Sequence, residues 1–290
     1  MDDEDENFLM DNGVDIFDLG DDDLLRYRNR LPKRYVRDAQ NPFEWYRGSE
    51  FTGRYGFSKD AVMNVILPLI RVRLDRWNNR GLPVPPQLQV LMGLRFYRTG
   101  NIQQVTGDLR VFSQPTVSRC IRRVSIALAL LLNELVGFPE TQQEQHHNIQ
   151  LFYNIRGRPG VGALIDGVLI PIGSPGGEIA EIFRCRKGYF AKNVLAAVGP
   201  RGESLHVDVR NPGSVHDQTC LDRSALRRIF EDGIVEGNLL GDNGYASHPY
   251  LLVPFERPLN AFEKAYNAAH IPTRCVIEKT FGRWKKKFHC

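Results

Sequence analysis

This 290-residue sequence has few means of being stapled, anchored or exported. Its five cysteines (Cys120, Cys185, Cys220, Cys275, Cys290) lie far apart and form no Cys-x-x-Cys pair. That spacing excludes a disulfide scaffold and a zinc finger built on cysteine pairs. No Asn-x-Ser/Thr glycosylation acceptor occurs, and the two absences together fit a reducing compartment, the nucleus and also the cytoplasm. Long hydrophobic runs are missing too. The apolar stretch of note, residues 126–132, is far too short to cross a bilayer, so no membrane partner is expected. The first 23 residues contain no Lys or Arg, which excludes the basic start of a secretory signal.

What that head does contain is acid: eleven Asp and Glu side chains. The whole chain has 38 basic and 34 acidic groups, a formal charge of +4. Removing the head leaves 38 basic against 23 acidic groups, so the body carries +15. An acidic head on a basic body points to a polyanionic partner, DNA being the one expected. High charge with scattered apolar residues makes residues 1–23 an expected disordered tail.

A helical region is expected over 24–138. It opens on basic residues interleaved with Tyr27, Tyr35, Trp45 and Tyr46, which suit a nucleic-acid arm or an aromatic docking segment equally well. Residues 58–77 predict a helix capped by Ser58, with Val62, Val65, Ile66, Leu69 and Ile70 as its apolar stripe and Pro68 kinking or ending it. A second helix is predicted over 87–97, stopping at Thr99-Gly100. Residues 101–135 read as two helices joined by a short turn. In the second, Ser113 caps, Pro115 sits in the first turn, and Val117, Ile121, Val124 and Leu128 bury. Arg119, Arg122 and Arg123 are left on the outer face, the outline of a helix-turn-helix DNA reader or of a bundle with a solvated basic face.

Residues 139–153 are polar and read as a linker or an exposed helix end. Their adjacent His146 and His147 do not share a helix face, so they make a poor metal pair. Beyond residue 154 the periodicity changes. A strand is predicted over 161–172, a hairpin over 193–198 and 204–210, a helix over 219–231, a short strand over 237–241 and a last helix over 271–288, an α/β layer architecture.

Asp166 interrupts the apolar first strand, Asp242 ends a buried strand, and Glu278 lies between apolar Ile277 and Phe281 on the last helix. A carboxylate in apolar surroundings is costly unless paired or bound to a cation. Any one of these acids suits a structural ion pair with Arg or Lys. Three hard oxygen donors brought together suit one or two Mg2+ or Mn2+ ions clamping a phosphodiester. Two other chemistries fail. His216 and Ser214 are too close in sequence for a hydrolase triad, and the glycines from Gly157 precede a strand rather than a helix, so they are no dinucleotide fingerprint.

Five segments in order, LIDGVLIPI from Leu164, RKGYFAKNV from Arg186, PGSVHD from Pro212, GDNGY from Gly241 and RCVIEKTFGRWKKKF from Arg274, resemble the nuclease domain of the PIF/Harbinger DDE transposase superfamily. The upstream FTGRYGFSKD from Phe51 resembles that family's N-terminal region. The resemblance implies an RNase H-like DDE endonuclease domain over 154–290, cleaving DNA with a divalent metal cation, Mg2+ or Mn2+. Asp166, Asp242 and Glu278 are then catalytic metal ligands. Asp217 is a fourth ligand by resemblance, although it also suits a cap for the following helix. Arg186, Lys187, Lys279, Arg283, Lys285, Lys286 and Lys287 are expected phosphate contacts. A Myb-like protein partner is implied as well. The family's domain continues for several tens of residues past the glutamate, whereas this sequence ends twelve residues after Glu278. A domesticated DNA-binding or assembly protein with a vestigial site is therefore the alternative expectation.

Overall fold

The computed structural model describes residues 41–75, 83–101, 105 and 112–289. The acidic tail 1–23, most of the aromatic-basic segment and most of the first helix of the helix-turn-helix reading lie outside the described residues.

A helical region comes first. Helices α1 (Pro42–Trp45) and α2 (Gly48–Tyr55) place Phe51 and Tyr55 in its core. Helix α3 runs through Lys59–Ala61, a π-helical turn Val62–Ile66 and Leu67–Leu74, with the Ser58 hydroxyl accepting from the Ala61 N–H. The π turn corrects the expected stripe. Pro68 has no N–H for the carbonyl four residues back, and just before it the Leu67 N–H reaches Val62 instead. The extra residue rotates the rest of the helix, so Val62, Leu67, Ile70 and Leu74 bury while Val65 and Leu69 face outward.

Helix α4 (Pro86–Thr99) ends at Gly100 in the left-handed conformation, and α5 (Gln114–Ala129) buries Val117, Cys120, Ile121, Val124 and Ala127 against it, with Leu128 only partly covered. The two approach closely because α4 carries Gly93, where a Cβ would stand 2.7 Å from a Val124 methyl. A short helix α6 (Leu132–Leu135) comes next.

The polar stretch read as a linker is instead mostly helix α7 (Gln142–Arg156), started by a Thr141–Glu144 capping box. Its Phe152 is fully buried on the sheet unit, and His146 pairs with Glu236 at 2.7 Å rather than with a metal-binding neighbour.

The strands are β1 (Val161–Pro171), β2 (Ala191–Val198), β3 (Ser204–Pro212), β4 (Asn238–Leu240) and β5 (Leu251–Leu252). They form one sheet in the order β3-β2-β1-β4-β5, antiparallel through β3, β2 and β1 and parallel from β1 through β4 to β5. Alternation along β1 divides the core in two. Leu164 and Val168 pack with Leu240, Ile277 and Phe281 under helix α10 (Ala261–Lys287). Ala163 and Ile165 pack with Leu221, Leu226 and Phe230 of α8 (Asp217–Arg223) and α9 (Ala225–Glu231) on the other face.

The single helix expected over 219–231 is thus two, broken where Ser224 turns extended and its hydroxyl donates to the Leu221 carbonyl. Helix α10 begins ten residues before the expected start. Asn260 accepts from the Glu263 N–H, His270 and Thr273 are buried on either side of Pro272, and the His270 ring bonds the Gly241 carbonyl beyond β4. No helix among the described residues is long and apolar enough to cross a membrane.

Candidate active site

Asp166 and Asp242 meet because their strands are parallel neighbours. Leu164 pairs with Leu240 in the β1–β4 register, so Asp166 inside β1 and Asp242 just past the end of β4 come close enough for the Asp242 charge to raise the Asp166 pKa. His270 of α10 bonds the Gly241 carbonyl at 2.9 Å, which ties the turn carrying Asp242 to the helix carrying Glu278. Burial holds that imidazole below its usual pKa range.

Asp166 is only 18% exposed. Burial raises its carboxyl pKa to about 6; the Arg274 guanidinium and the Gly167 N–H lower it, and the charges of Asp242 and Asp217 raise it further. Its Oδ1 accepts from the Gly167 N–H at 2.9 Å. Asp242 accepts from the Gly244 N–H at 2.9 Å, a turn that points the carboxylate back over the end of β4.

Glu278, half exposed on α10, joins these acids through a cation. Arg274, one helical turn earlier, reaches Asp166 Oδ2 at 3.4 Å with one amino group and Glu278 Oε1 with the other. Among the described residues no three His, Cys, Asp or Glu side chains gather closely enough to hold a metal ion. The donor chemistry nevertheless suits Mg2+ or Mn2+: the acids offer only hard oxygen, and burial disfavours the Asp166 carboxylate unless a cation compensates it.

Asp217 approaches from the opposite side. A Cβ on Gly167 would stand 2.0 Å from Asp217 Oδ1, and in a strand that Cβ leaves the face opposite to Asp166. The carboxylate is the first residue of α8 rather than its cap, and it accepts from Asn193 Nδ2 at 2.7 Å. Tyr245 lies among Asp217, Asp166 and Asp242; burial and those three charges raise its pKa, and its buried hydroxyl has no hydrogen-bond partner among the described residues.

The basic residues separate into two groups. Arg119 and Arg122 on α5, Arg186 and Lys187 before β2, and Lys279, Arg283, Lys285 and Lys286 on α10 are exposed. Arg123 instead donates to Gln89 at 3.3 Å, an amide that also holds the carbonyls of Leu74 and Val84. Lys287 lies over the Phe57 ring at 3.6 Å, and burial lowers its pKa. The two contacts share a cause: a long aliphatic stem next to apolar surface packs inward.

Arg274, Asn193, Gly167 and His270 were not singled out from sequence. Only Arg274 carried a readable signal, its i,i+4 spacing to Glu278 on a helix.

The family description "DDE superfamily endonuclease" matches residues 165–290. Over 237 residues the chain is 32% identical to "Putative nuclease HARBI1" of Homo sapiens, spanning 81% of this chain and 67% of that protein. The Xenopus laevis counterpart is 30% identical, over 81% and 68%. "Protein ALP1-like" of Arabidopsis thaliana is 23% identical over 228 residues, 72% of this chain and 55% of that one. No solved structure matches the chain. With the DDE endonuclease match over its sheet domain and this identity extending upstream of it, the chain belongs to the Harbinger transposase-derived nuclease family.

Proposed function

We propose that this protein is a divalent-metal-dependent DNA endonuclease with an RNase H-like catalytic domain over 154–290. The observation that carries the reading is the pair Asp166, inside β1, and Asp242, just past the end of the parallel neighbour β4, the first buried enough to have its pKa raised to about 6. A buried carboxylate beside a second one is costly without a cation.

Asp166, Asp242 and Glu278 would hold Mg2+ or Mn2+, with Asp217 behind Gly167 adding negative potential. The metal supplies Lewis-acid polarisation of a phosphodiester and an acidified water. The protein's own part is positional. The β1–β4 pairing fixes the two aspartates, His270 ties the Asp242 turn to α10, and Arg274 occupies the space between Asp166 and Glu278 until a cation or a phosphate takes its place. Lys279, Lys285 and Lys286 beside the site, with Arg186 and Lys187, would hold the DNA backbone, and Arg119 and Arg122 would contact DNA from α5. This reading includes a nuclear and cytoplasmic location and a Myb-like protein partner.

The test is nicking of supercoiled plasmid by the purified chain with Mg2+ or Mn2+. The wild type is expected to nick, and Asp166→Ala to be slower by at least about a hundredfold. Equal activity in the two, or none in either, overturns the reading. One observation favours a second reading, a DNA-binding or assembly protein with a vestigial site: Arg274 already satisfies both Asp166 and Glu278. That reading expects salt-sensitive DNA binding that survives Asp166→Ala and is lost in the Arg119→Ala/Arg122→Ala double variant.

A further inference from the structure

Beyond Asp166 along β1 lies a cavity of about 450 Å3 whose walls include Val168 and Ile170 of β1, Phe281, Trp284 and Lys285 of α10, and Tyr189 from the loop before β2. Asp166, Val168 and Ile170 leave the same face of β1, so the nearest wall stands two residues, roughly 7 Å, along the strand from the candidate catalytic acid. On the helix, Phe281 comes three residues after Glu278 and Trp284 six, the same direction of travel.

We propose that this cavity receives the base of the nucleotide adjoining the scissile phosphate, unstacked from its neighbours in the strand; the inference rests on the endonuclease reading. Two observations select a nucleotide. The walls are apolar and aromatic, with the Trp284 ring packed against Phe281 at 5.4 Å, a platform that suits the flat face of a base and offers little to a sugar or a free anion. The lining also carries one cation, the exposed Lys285. A purely apolar ligand has no use for that charge, whereas a polynucleotide places a phosphate on either side of every base. The volume lies within the range of pockets that enclose a small ligand.

The experiment compares two labelled DNA duplexes by fluorescence anisotropy with the full chain, one fully paired and one identical but for a single unpaired adenine, which needs no energy to leave the stack. Wild type is expected to bind the second about tenfold more tightly, the gain of one base stacked on an aromatic ring. Trp284→Ala, which removes the platform, and Ile170→Trp, which fills the cavity, should each abolish the preference while keeping affinity for the paired duplex within about twofold. No preference in the wild type, or a preference that survives both variants, overturns the proposal; if metal-dependent nicking persists in that case, the endonuclease reading stands without it. Failure to bind either duplex overturns both.

Discussion

Asp166 places a charge where the surroundings favour the neutral acid. Its pKa is raised from 3.8 to about 6, so between those values the folded state holds a proton that the unfolded state has already released. The stability this confers is complete below about pH 4 and is lost as pH rises through 6. At ~1.4 kcal/mol per pKa unit the loss amounts to about 2–3 kcal/mol at neutral pH. Asp166→Asn is therefore expected to be about 1–2 kcal/mol more stable than the parent in urea unfolding at pH 7, the gap closing by pH 4. A gap that is the same at both values would mean that the carboxylate is not strained. Next to it, Gly167 leaves room for a group on the other face. Gly167→Ala must push Asp217 off Asn193, leaving that buried amide only its bond to the Val215 carbonyl, and unfolding free energy should drop by about 1–3 kcal/mol.

Helix α10 joins the site to the helical region. Its last carbonyls, on Lys286 and Lys287, accept from Arg98 of α4 at 2.6 and 2.8 Å, and His289 bonds the carbonyls of Tyr97 and Arg98. A guanidinium at a helix C-terminus satisfies orphan acceptors and opposes the dipole's negative end. Arg98→Ala should cost about 1–2 kcal/mol and speed hydrogen exchange in the last turn of α10 while leaving β1 and β4 protected; uniform loss of protection would mean that the contact supports the whole domain instead. Such cross-chain ties mark the limit of what the sequence showed. The strands β1, β2 and β3 were legible because their apolar runs and the turn at 199–203 are local signals, and the adjacency of Asp166 and Asp242 followed from two buried strands that each carry an acid. The early start of α10 was hidden by Pro272, which reads as a boundary, and the outward turn of Val65 and Leu69 by a π turn that no periodicity announces. The contact from Arg274 to Asp166 spans 108 residues, a distance at which only the assembled sheet decides the contact.

At the scale of the molecule, charge is divided rather than balanced. Eleven acids precede residue 24, and +15 is spread over the rest of the chain, with Arg186 and Lys187 before β2, Lys279, Lys285 and Lys286 on α10, and Arg119 and Arg122 on α5 all exposed. A tethered polyanion of −11 is expected to compete with a free polyanion for that surface. Competition of this kind acts through screened charge, so it has a defined dependence on salt. At 50 mM salt the Debye length is a little over ~10 Å and the head opposes DNA effectively; at several hundred millimolar, where it approaches ~5 Å, both interactions fade. Deleting residues 1–23 is accordingly expected to tighten DNA binding by at least about fivefold at 50 mM salt, to steepen the salt dependence of the affinity, and to leave the two chains indistinguishable near 400 mM. If the truncated chain binds DNA no better than the full chain at low salt, the head does not cover the basic surface.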